Sequence, residues 1–371
     1  QLMWLSLGVL CAWGIGNSSV RLIEWVTWPA YLLTLLTLAS LLVLGTGTGA
    51  NGHMRSWLAI GGHRLGQPAE LAKIIVVLML AKVLAERREA PKSLLELWKP
   101  GLVVGVPFVM IMLQPDLGSA IVFVGIFFGM LFWSGVPWPL LVLLASPVVS
   151  LVLSFSTGLW GAWFLVLIAL VLWYKPYLLE GIVLVVANVV TGVIAPILWE
   201  KLAPYQQNRL KVFLDPSADP RASGYHVLQS KIAIGSGGLF GNGFTLGTQK
   251  RSGFLPEQHT DFIFAVVGEE LGFIGVALAL TLFLALLLRA TRIASRANDS
   301  FGSLAAFGLM SCWLVHVVVN IGMTLNLMPI TGIPLPFFSY GGSFMLASWL
   351  GVGVLLRISG EGRGHAGALL S

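Results

Sequence analysis

Long apolar runs recur along this chain, and they limit its possible folds more than any other feature. After Asp261, residues 262–288 contain only two charged side chains, Glu269 and Glu270. About 20 apolar residues in a helix are enough to cross the hydrocarbon core of a bilayer. No soluble domain of this size could bury a chain that is 57% hydrophobic and 10% charged. We therefore predict an α-helical membrane protein, since continuous runs exclude the alternating strands of a β-barrel.

Eleven apolar segments are candidate membrane spans. Several are short enough to be tilted, broken or merged, so we predict an all-α polytopic protein with about ten transmembrane helices. Residues 1–371 would form a single membrane domain, which includes a large extracytoplasmic loop at 199–260. The candidate spans are residues 2–18, 29–45, 68–85, 101–113, 117–133, 139–155, 160–173, 177–198, 261–288, 304–327 and 344–356.

The basic residues indicate an orientation. Short loops rich in Lys and Arg usually stay in the cytoplasm, so the net charge of +6 indicates topology before it indicates nucleic-acid binding. The basic clusters within 87–92, 289–296 and 357–363 can all lie on one side, which places the C-terminus in the cytoplasm and the loop 199–260 outside. That loop has an excess of positive charge. An anionic ligand outside the cell explains the excess, and an ordinary solvated loop is the alternative.

The most informative stretch is 253–272, where ionisable residues come directly before an apolar run. Glu257, His259 and Asp261 lie where the chain would pass from water into lipid. An acid in hydrocarbon costs roughly 2.5–3.5 kcal/mol on insertion scales, so such a carboxylate is a functional candidate. We interpret Asp261 as a catalytic base at the outer mouth of a membrane-embedded cavity.

Two further polar clusters come at predicted outer helix ends. The first contains Arg64, Glu70 and Lys73, of which the last two share a helix face; a satisfied structural pair is the alternative to a ligand site. The second is the turn that contains Gln114 and Asp116, where Asp116 could equally be a helix N-cap.

A third cluster, residues 326–342, contains Ser339 and cannot form a regular helix because Pro329, Pro334 and Pro336 interrupt it. Non-helical backbone at membrane depth persists only where protein buries it or where it lines a cavity, so we predict a re-entrant loop beside a groove.

The long loop contains two segments with a recognisable pattern. Residues 224–235 have the spacing of an amphipathic helix that could lie in the membrane interface. The glycine-rich residues 235–247 could form a phosphate-binding nest, although plain loop flexibility explains the glycines more simply.

Four segments in this order, QPAELAK, QPDLGSA, LPEQHTDFIFAVVGEELGF and LMPITGIPLPFFSYGGS, resemble the SEDS family (shape, elongation, division and sporulation proteins), and most closely its elongation members. The similarity runs from about Gly49 to Arg357. The resemblance implies a ten-helix glycosyltransferase of the bacterial cytoplasmic membrane that polymerises lipid II, an undecaprenyl-diphosphate-linked disaccharide peptide, outside that membrane. It also implies a class B penicillin-binding protein as partner, and it aligns Asp261 with the family's essential aspartate. On this resemblance we expect Gln1 to align near the start of the family's second helix, and the apolar pair at 155–198 to be longer than in its division members.

The implied chemistry assigns roles to the polar residues. Asp261 would take a proton from the attacking sugar hydroxyl, while Arg209, Lys250 and Arg251 would stabilise the leaving diphosphate, with Arg64 and Lys73 nearby. A divalent cation (Mg²⁺ or Mn²⁺) on Asp261, Glu70 or Asp116 could share that task, but no ligand spacing identifies a metal site, and no other cofactor is expected. The predicted substrate contacts are Arg64, Glu70, Lys73, Gln114, Asp116, Arg209, Lys250, His259 and Ser339. Lipid II, membrane lipid and the penicillin-binding protein are the expected partners, and nucleic acid is not.

Two other functions fit the same composition. A lipid flippase or transporter needs polar groups along a path through both leaflets, whereas the motifs here gather on one predicted face. A non-catalytic scaffold for the penicillin-binding protein would keep its full function after Asp261→Ala.

Overall fold

A computed structural model of the chain describes residues 1–48, 54–60, 63–87, 89–202, 204–215, 223–247 and 257–368. These residues form two compact units. The first contains Gln1–Glu86, Val103–Met130 and Arg209–Ser371, and the second contains Arg87–Leu102 and Leu131–Asn208.

Helices dominate the described residues, which form thirteen α-helices, three short β-strands and one turn of 3₁₀-helix at Leu95–Leu97. The strands are β1 (Thr46–Thr48), β2 (Met54–Ile60) and β3 (His63–Gly66), in an antiparallel sheet of order β1-β2-β3. The helices are α1 (Leu2–Gly16), α2 (Val20–Leu44), α3 (Pro68–Ala85), α4 (Trp98–Leu113), α5 (Leu117–Trp133), α6 (Trp138–Leu153), α7 (Thr157–Tyr174), α8 (Leu178–Lys201), α9 (Pro204–Leu214), α10 (Ser223–Ser236), α11 (Ile263–Ser295), α12 (Ser300–Thr324) and α13 (Gly342–Ala368).

Many of these helices can cross a bilayer. Among the described residues, seven are long and apolar enough: α2, α4 with the preceding 3₁₀ turn, α7, α8, α11, α12 and α13. Three shorter apolar helices, α1, α5 and α6, add to them. The predicted all-α, multi-pass membrane architecture is confirmed, whereas the figure of ten spans and the single-domain description stay predictions.

Helix α12 lies at the centre of the first unit. In its most apolar 18-residue window 78% of the residues are buried, against 6% for α7. Glycines let its neighbours approach closely: a Cβ at Gly308 would lie 2.6 Å from the side chains of Val77 on α3 and Met130 on α5. Small residues at membrane helix contacts allow backbones to pack in this way. Helix α11 also packs against this buried helix.

Helices α1 and α13 also pack through glycine. A Cβ at Gly8 would lie 2.8 Å from the Trp349 ring, and one at Gly353 would lie 2.8 Å from the Cα atom of Ala12. Both positions tolerate no larger side chain unless the helices separate.

The glycine-rich segment 235–247 packs against a kink in α11. Gly272 has φ 63° and ψ −162°, which is a non-helical conformation that essentially only glycine adopts. The N–H groups of Asn242 and Gly243 donate to the carbonyls of Glu269 and Glu270 at 3.0 and 3.1 Å. A Cβ at Gly237 would overlap the α11 backbone. Close backbone approach therefore explains these glycines, and a phosphate nest is not needed to account for them.

The second unit has a polar cluster inside its apolar helices. Asn188 on α8 is fully buried; its Nδ2 donates to Ser146 Oγ at 2.7 Å, and its Oδ1 accepts from Ser150 Oγ at 2.6 Å. In lipid a buried amide must find its partners within the protein, so these hydrogen bonds tie α6 to α8.

Three details differ from the predicted segments. Helix α2 begins at Val20 and contains Pro29, whereas the sequence placed the start at 29. The sheet at 46–66 was not predicted. The loop 199–260 contains helices, of which α10 matches the helix predicted at 224–235. The proposed interfacial position of α10 stays a prediction; Val227 and Ala233 on it are buried, and Ala233 packs in a cluster with Phe262.

Candidate active site

Asp261 lies in the turn that leads into α11, with its side chain half-buried. The next residue, Phe262, is buried and stacks on His226 of α10 at a centroid distance of 6.0 Å. Burial first, and then the negative charge of Glu257, raise the pKa of Asp261, while a hydrogen bond from Thr260 and the positive charge of Arg209 lower it; the net result is a pKa of about 6. A carboxylate with a pKa close to neutral suits a general base.

Asn320 of α12 hydrogen-bonds to two backbone segments that meet at this carboxylate. Its Nδ2 donates to the carbonyl oxygen of Asp261 at 2.9 Å and to that of Ile333 at 2.7 Å. Asn320 is fully buried. One amide thus fixes the turn before α11 against the segment that follows α12.

That segment, residues 325–341, is non-helical, as predicted, and most of its residues are partly or fully buried. Ser339 Oγ donates to the Thr260 carbonyl at 2.6 Å and accepts from the Leu335 N–H at 2.7 Å. The Tyr340 N–H donates to the His259 carbonyl at 2.7 Å. The segment therefore pairs with the turn 257–262 through backbone groups, and the Ser339 hydroxyl has a positioning contact.

Gly332 brings the same segment against the catalytic candidate. It has φ 73°, and a Cβ at this position would lie 3.1 Å from Asp261 Oδ2. Only glycine combines this backbone conformation with room for the carboxylate.

The charged residues of α3 form a buried group. Lys73 Nζ lies 2.8 Å from Glu70 Oε2 and 3.1 Å from His316 Nε2, and all three residues are at most 4% exposed. The other ring nitrogen of His316 lies 2.9 Å from the Pro334 carbonyl. The predicted pair is present, and it connects α3 through α12 to the segment 325–341.

Asp116 has two partners at the start of α5. Its Oδ1 accepts from the Ser119 N–H at 3.0 Å, which is the N-cap geometry, and its Oδ2 accepts from Gln67 Nε2 at 2.8 Å. Gln114 Nε2 donates to the Leu38 carbonyl at 3.0 Å. These contacts hold the turn between α4 and α5 against α2 and α3, and the roles of Gln114 and Asp116 in substrate binding stay predictions.

Only some of the predicted cations lie among the described residues. Arg209 on α9 is half-buried and close enough to lower the pKa of Asp261. Lys250 and Arg251 lie outside the described residues, as does the side chain of Arg64 on β3. His259 is exposed. Of the predicted cations that the structure describes, Arg209 is therefore the one whose charge acts on Asp261.

The described residues do not fit a metal centre. They contain no group of three or more His, Cys, Asp or Glu side chains that could hold an ion. Glu70 is paired with Lys73, and both oxygens of Asp116 accept hydrogen bonds. The divalent cation suggested at Asp261, Glu70 or Asp116 therefore stays a prediction.

Asn320, Gly332 and His316 belong to the site, and the sequence pattern alone gave none of them a role there. The signal for Asn320 and His316 was a polar side chain inside an apolar run, which must find a partner in the protein. The signal for Gly332 was a glycine between prolines in a segment that could not be helical.

Known proteins share both the sequence and the fold. The FtsW/RodA/SpoVE family of cell cycle proteins matches residues 1–167 and 158–364. Peptidoglycan glycosyltransferase MrdB of Escherichia coli (strain K12) is 38% identical over 334 residues, which cover 89% of this chain and 77% of that protein. Stage V sporulation protein E of Bacillus subtilis (strain 168) is 38% identical over 362 residues, which cover 97% of this chain and 86% of that protein.

Two solved structures are also similar. One, described as "Structural coordination of polymerization and crosslinking by a peptidoglycan synthase complex", contains a chain with 30% identity and a TM-score of 0.71, and the match covers 98% of this chain and 89% of that one. The rod shape determining protein RodA of Thermus thermophilus has 29% identity and a TM-score of 0.60, and the match covers 97% of this chain and 86% of that one. This chain belongs to the FtsW/RodA/SpoVE family, which is the SEDS family.

Proposed function

We propose that this chain is a RodA-like peptidoglycan glycosyltransferase, which polymerises lipid II into glycan strands at the outer face of the cytoplasmic membrane during elongation. Its relatives from Escherichia coli and Treponema pallidum are named peptidoglycan glycosyltransferases. The observation that carries the proposal is the half-buried carboxylate of Asp261, held against the segment 325–341 with the charge of Arg209 nearby.

Asp261 is the general base. The 4-hydroxyl of an acceptor sugar loses its proton to the Asp261 carboxylate as its oxygen attacks the anomeric carbon of the donor. The bond from that carbon to the diphosphate breaks, and the polyprenyl diphosphate leaves. One displacement inverts the anomeric centre and needs no covalent enzyme intermediate. A base placed in this way typically contributes 10²–10⁴-fold in rate.

Arg209 stabilises the diphosphate as its charge develops. A guanidinium can form two parallel hydrogen bonds to a phosphate, whereas an ammonium acts as a point charge. Lys250, Arg251 and Arg64 are further candidates. Lys73 is a weaker one, because its ammonium group is already bound to Glu70 and contacts His316.

The topology that fits this reaction places the turn 257–262 outside and the C-terminus in the cytoplasm. A groove for the polyprenyl chains would lie beside the segment 325–341. We propose a class B penicillin-binding protein as partner. The similar chain in the solved structure belongs to a peptidoglycan synthase complex that is described as coordinating polymerisation with crosslinking.

Purified full-length chain, reconstituted with lipid II in proteoliposomes, tests the proposal. We expect glycan strands on a gel with the wild-type chain and none with Asp261→Ala or Asp261→Asn. Glu257→Gln is the matched control, because it removes a neighbouring exposed carboxylate and should keep polymerisation. Equal polymer from Asp261→Ala would remove the base assignment.

The same assay separates the other two functions. Movement of lipid II across the bilayer without polymer would identify a carrier. Absence of polymer from the wild-type chain, combined with full function of Asp261→Ala in cells, would identify a scaffold.

A further inference from the structure

A cavity with a basic lining lies at the far end of α11 from Asp261. Its volume is about 160 Å³, and it lies between the last turns of α11 and the second half of α13. Arg289, Arg292 and Arg296 line it together with Ile358 and Ser359. From the kink at Gly272 to Arg289 the helix rises about 25 Å, at about 1.5 Å per residue. The cavity is therefore separate from the active site.

The three arginines share one helix face because they are spaced i, i+3 and i+7. Nearby carboxylates have other partners: Glu361 is paired with Arg357 and accepts from the Val20 N–H, and Asp299 caps α12. Within the part of the chain that the structure describes, none of the three arginines forms an ion pair with a carboxylate. Their charge of about +3 exceeds the roughly −0.5 at a helix C-terminus, so the cavity attracts an anion.

Exposed apolar side chains continue from the arginines towards the membrane. Leu288 and Leu284 lie four and eight residues before Arg292 on α11 and are 51% and 56% exposed, and Leu356 on α13 is 57% exposed. A free phosphate would need only the arginines. A ligand with an anionic head and apolar chains fits both surfaces.

We propose that this cavity binds the phosphate headgroup of an anionic phospholipid, whose acyl chains lie along the leucines of α11 and α13. With the C-terminus in the cytoplasm, as proposed above, this site lies in the cytoplasmic leaflet. The binding itself does not depend on the glycosyltransferase reaction. Arginine suits this role because its planar fork donates two hydrogen bonds to one phosphate. A topological signal alone would require positive charge at this end of α11 but no cavity among the three arginines.

Thermal unfolding of the purified full-length chain in neutral detergent tests the site. Phosphatidylglycerol should raise the midpoint more than phosphatidylcholine does, and inorganic phosphate at the same concentration should have no such effect. Arg292→Gln should weaken the apparent affinity for phosphatidylglycerol about tenfold, which is about 1.4 kcal/mol. Arg292→Lys should recover only part of it, because the charge remains but the fork is lost.

Arg21→Gln is the matched control, since it removes an exposed arginine outside the cavity, next to Val20, whose N–H donates to Glu361 of α13. It should keep the full response to phosphatidylglycerol. Native mass spectrometry of retained lipid gives an independent readout for each variant. The proposal is overturned if Arg292→Gln and the triple Arg→Gln variant keep the wild-type response, or if inorganic phosphate reproduces it.

Discussion

Asn320 offers the sharpest test of how the active site is held together. Asn320→Ala removes both donors to the carbonyls of Asp261 and Ile333. The buried Ile333 carbonyl loses its partner at about 1–3 kcal/mol and the part-buried bond to Asp261 adds about 1 kcal/mol, so the docking of the segment 325–341 weakens by about 2–4 kcal/mol. Since each 1.4 kcal/mol is a factor of ten, we expect kcat to fall at least about tenfold.

Two measurements on the Asn320→Ala chain distinguish positioning from general damage. In the lipid II polymerisation assay, kcat should fall more than KM rises, because the carboxylate is displaced while most of the substrate surface remains. In hydrogen exchange, amides that pair the segment with the turn 257–262 should exchange faster, the Tyr340 N–H above all.

Asn188→Ala is the matched control for this experiment. Asn188 is an equally buried asparagine on an apolar helix, and its side chain hydrogen-bonds to Ser146, Ser150 and Leu184, which all lie in the second unit. Its loss should lower the unfolding midpoint and speed exchange in α6 and α8 without changing kcat per folded molecule. Wild-type kcat and unchanged exchange at 325–341 in Asn320→Ala would refute the positioning role.

Three further predictions concern other parts of the first unit. The rate of polymerisation should rise with pH through about 6 as Asp261 loses its proton. Glu257→Gln should move this rise to lower pH, because it removes a negative charge that raises the pKa of Asp261. If the rise does not move, another group titrates. Lys73→Met leaves the carboxylate of Glu70 buried without its cation and should cost about 3–5 kcal/mol, most of which the double change with Glu70→Gln should restore in thermal unfolding; a double variant as unstable as Lys73→Met would contradict this. Gly272→Ala should destabilise the chain by more than 1–3 kcal/mol, since its Cβ would overlap the Gly241 backbone. Gly161→Ala on α7, where the added Cβ would meet open space, should be neutral or stabilising in the same thermal unfolding experiment.

The sequence predicts the apolar helices well because each is a continuous run that lipid requires to be helical. The start of α2 was predicted nine residues late, since Arg21 and Glu24 interrupt the apolar pattern there. Long-range contacts secure this first part of the helix: Glu361 accepts from the Val20 N–H, and Lys82 Nζ donates to the Glu24 carbonyl. Neither partner is near in sequence, so a local pattern could not identify it.

The glycine-rich segment shows a second limit of sequence reasoning. Its composition predicts backbone that can approach another group closely, but not which group. The structure places it against the carbonyls of Glu269 and Glu270 at the α11 kink. A phosphate and a helix backbone impose the same requirement on a glycine, and only the tertiary contact distinguishes them.

Several polar residues of the site contact backbone groups of the segment 325–341, a role that their spacing in the sequence did not show. A non-helical segment in an apolar protein needs partners for its own backbone groups, and the segment 325–341 finds several on side chains. Asn320 donates to the Ile333 carbonyl, the His316 ring lies within hydrogen-bond distance of the Pro334 carbonyl, and Ser339 accepts from the Leu335 N–H. Substitution of any of these residues would therefore reduce activity whether or not it touches substrate. A lost activity alone cannot identify a substrate contact here; a change in the pH limb of Asp261, or in KM at unchanged exchange of the segment, can.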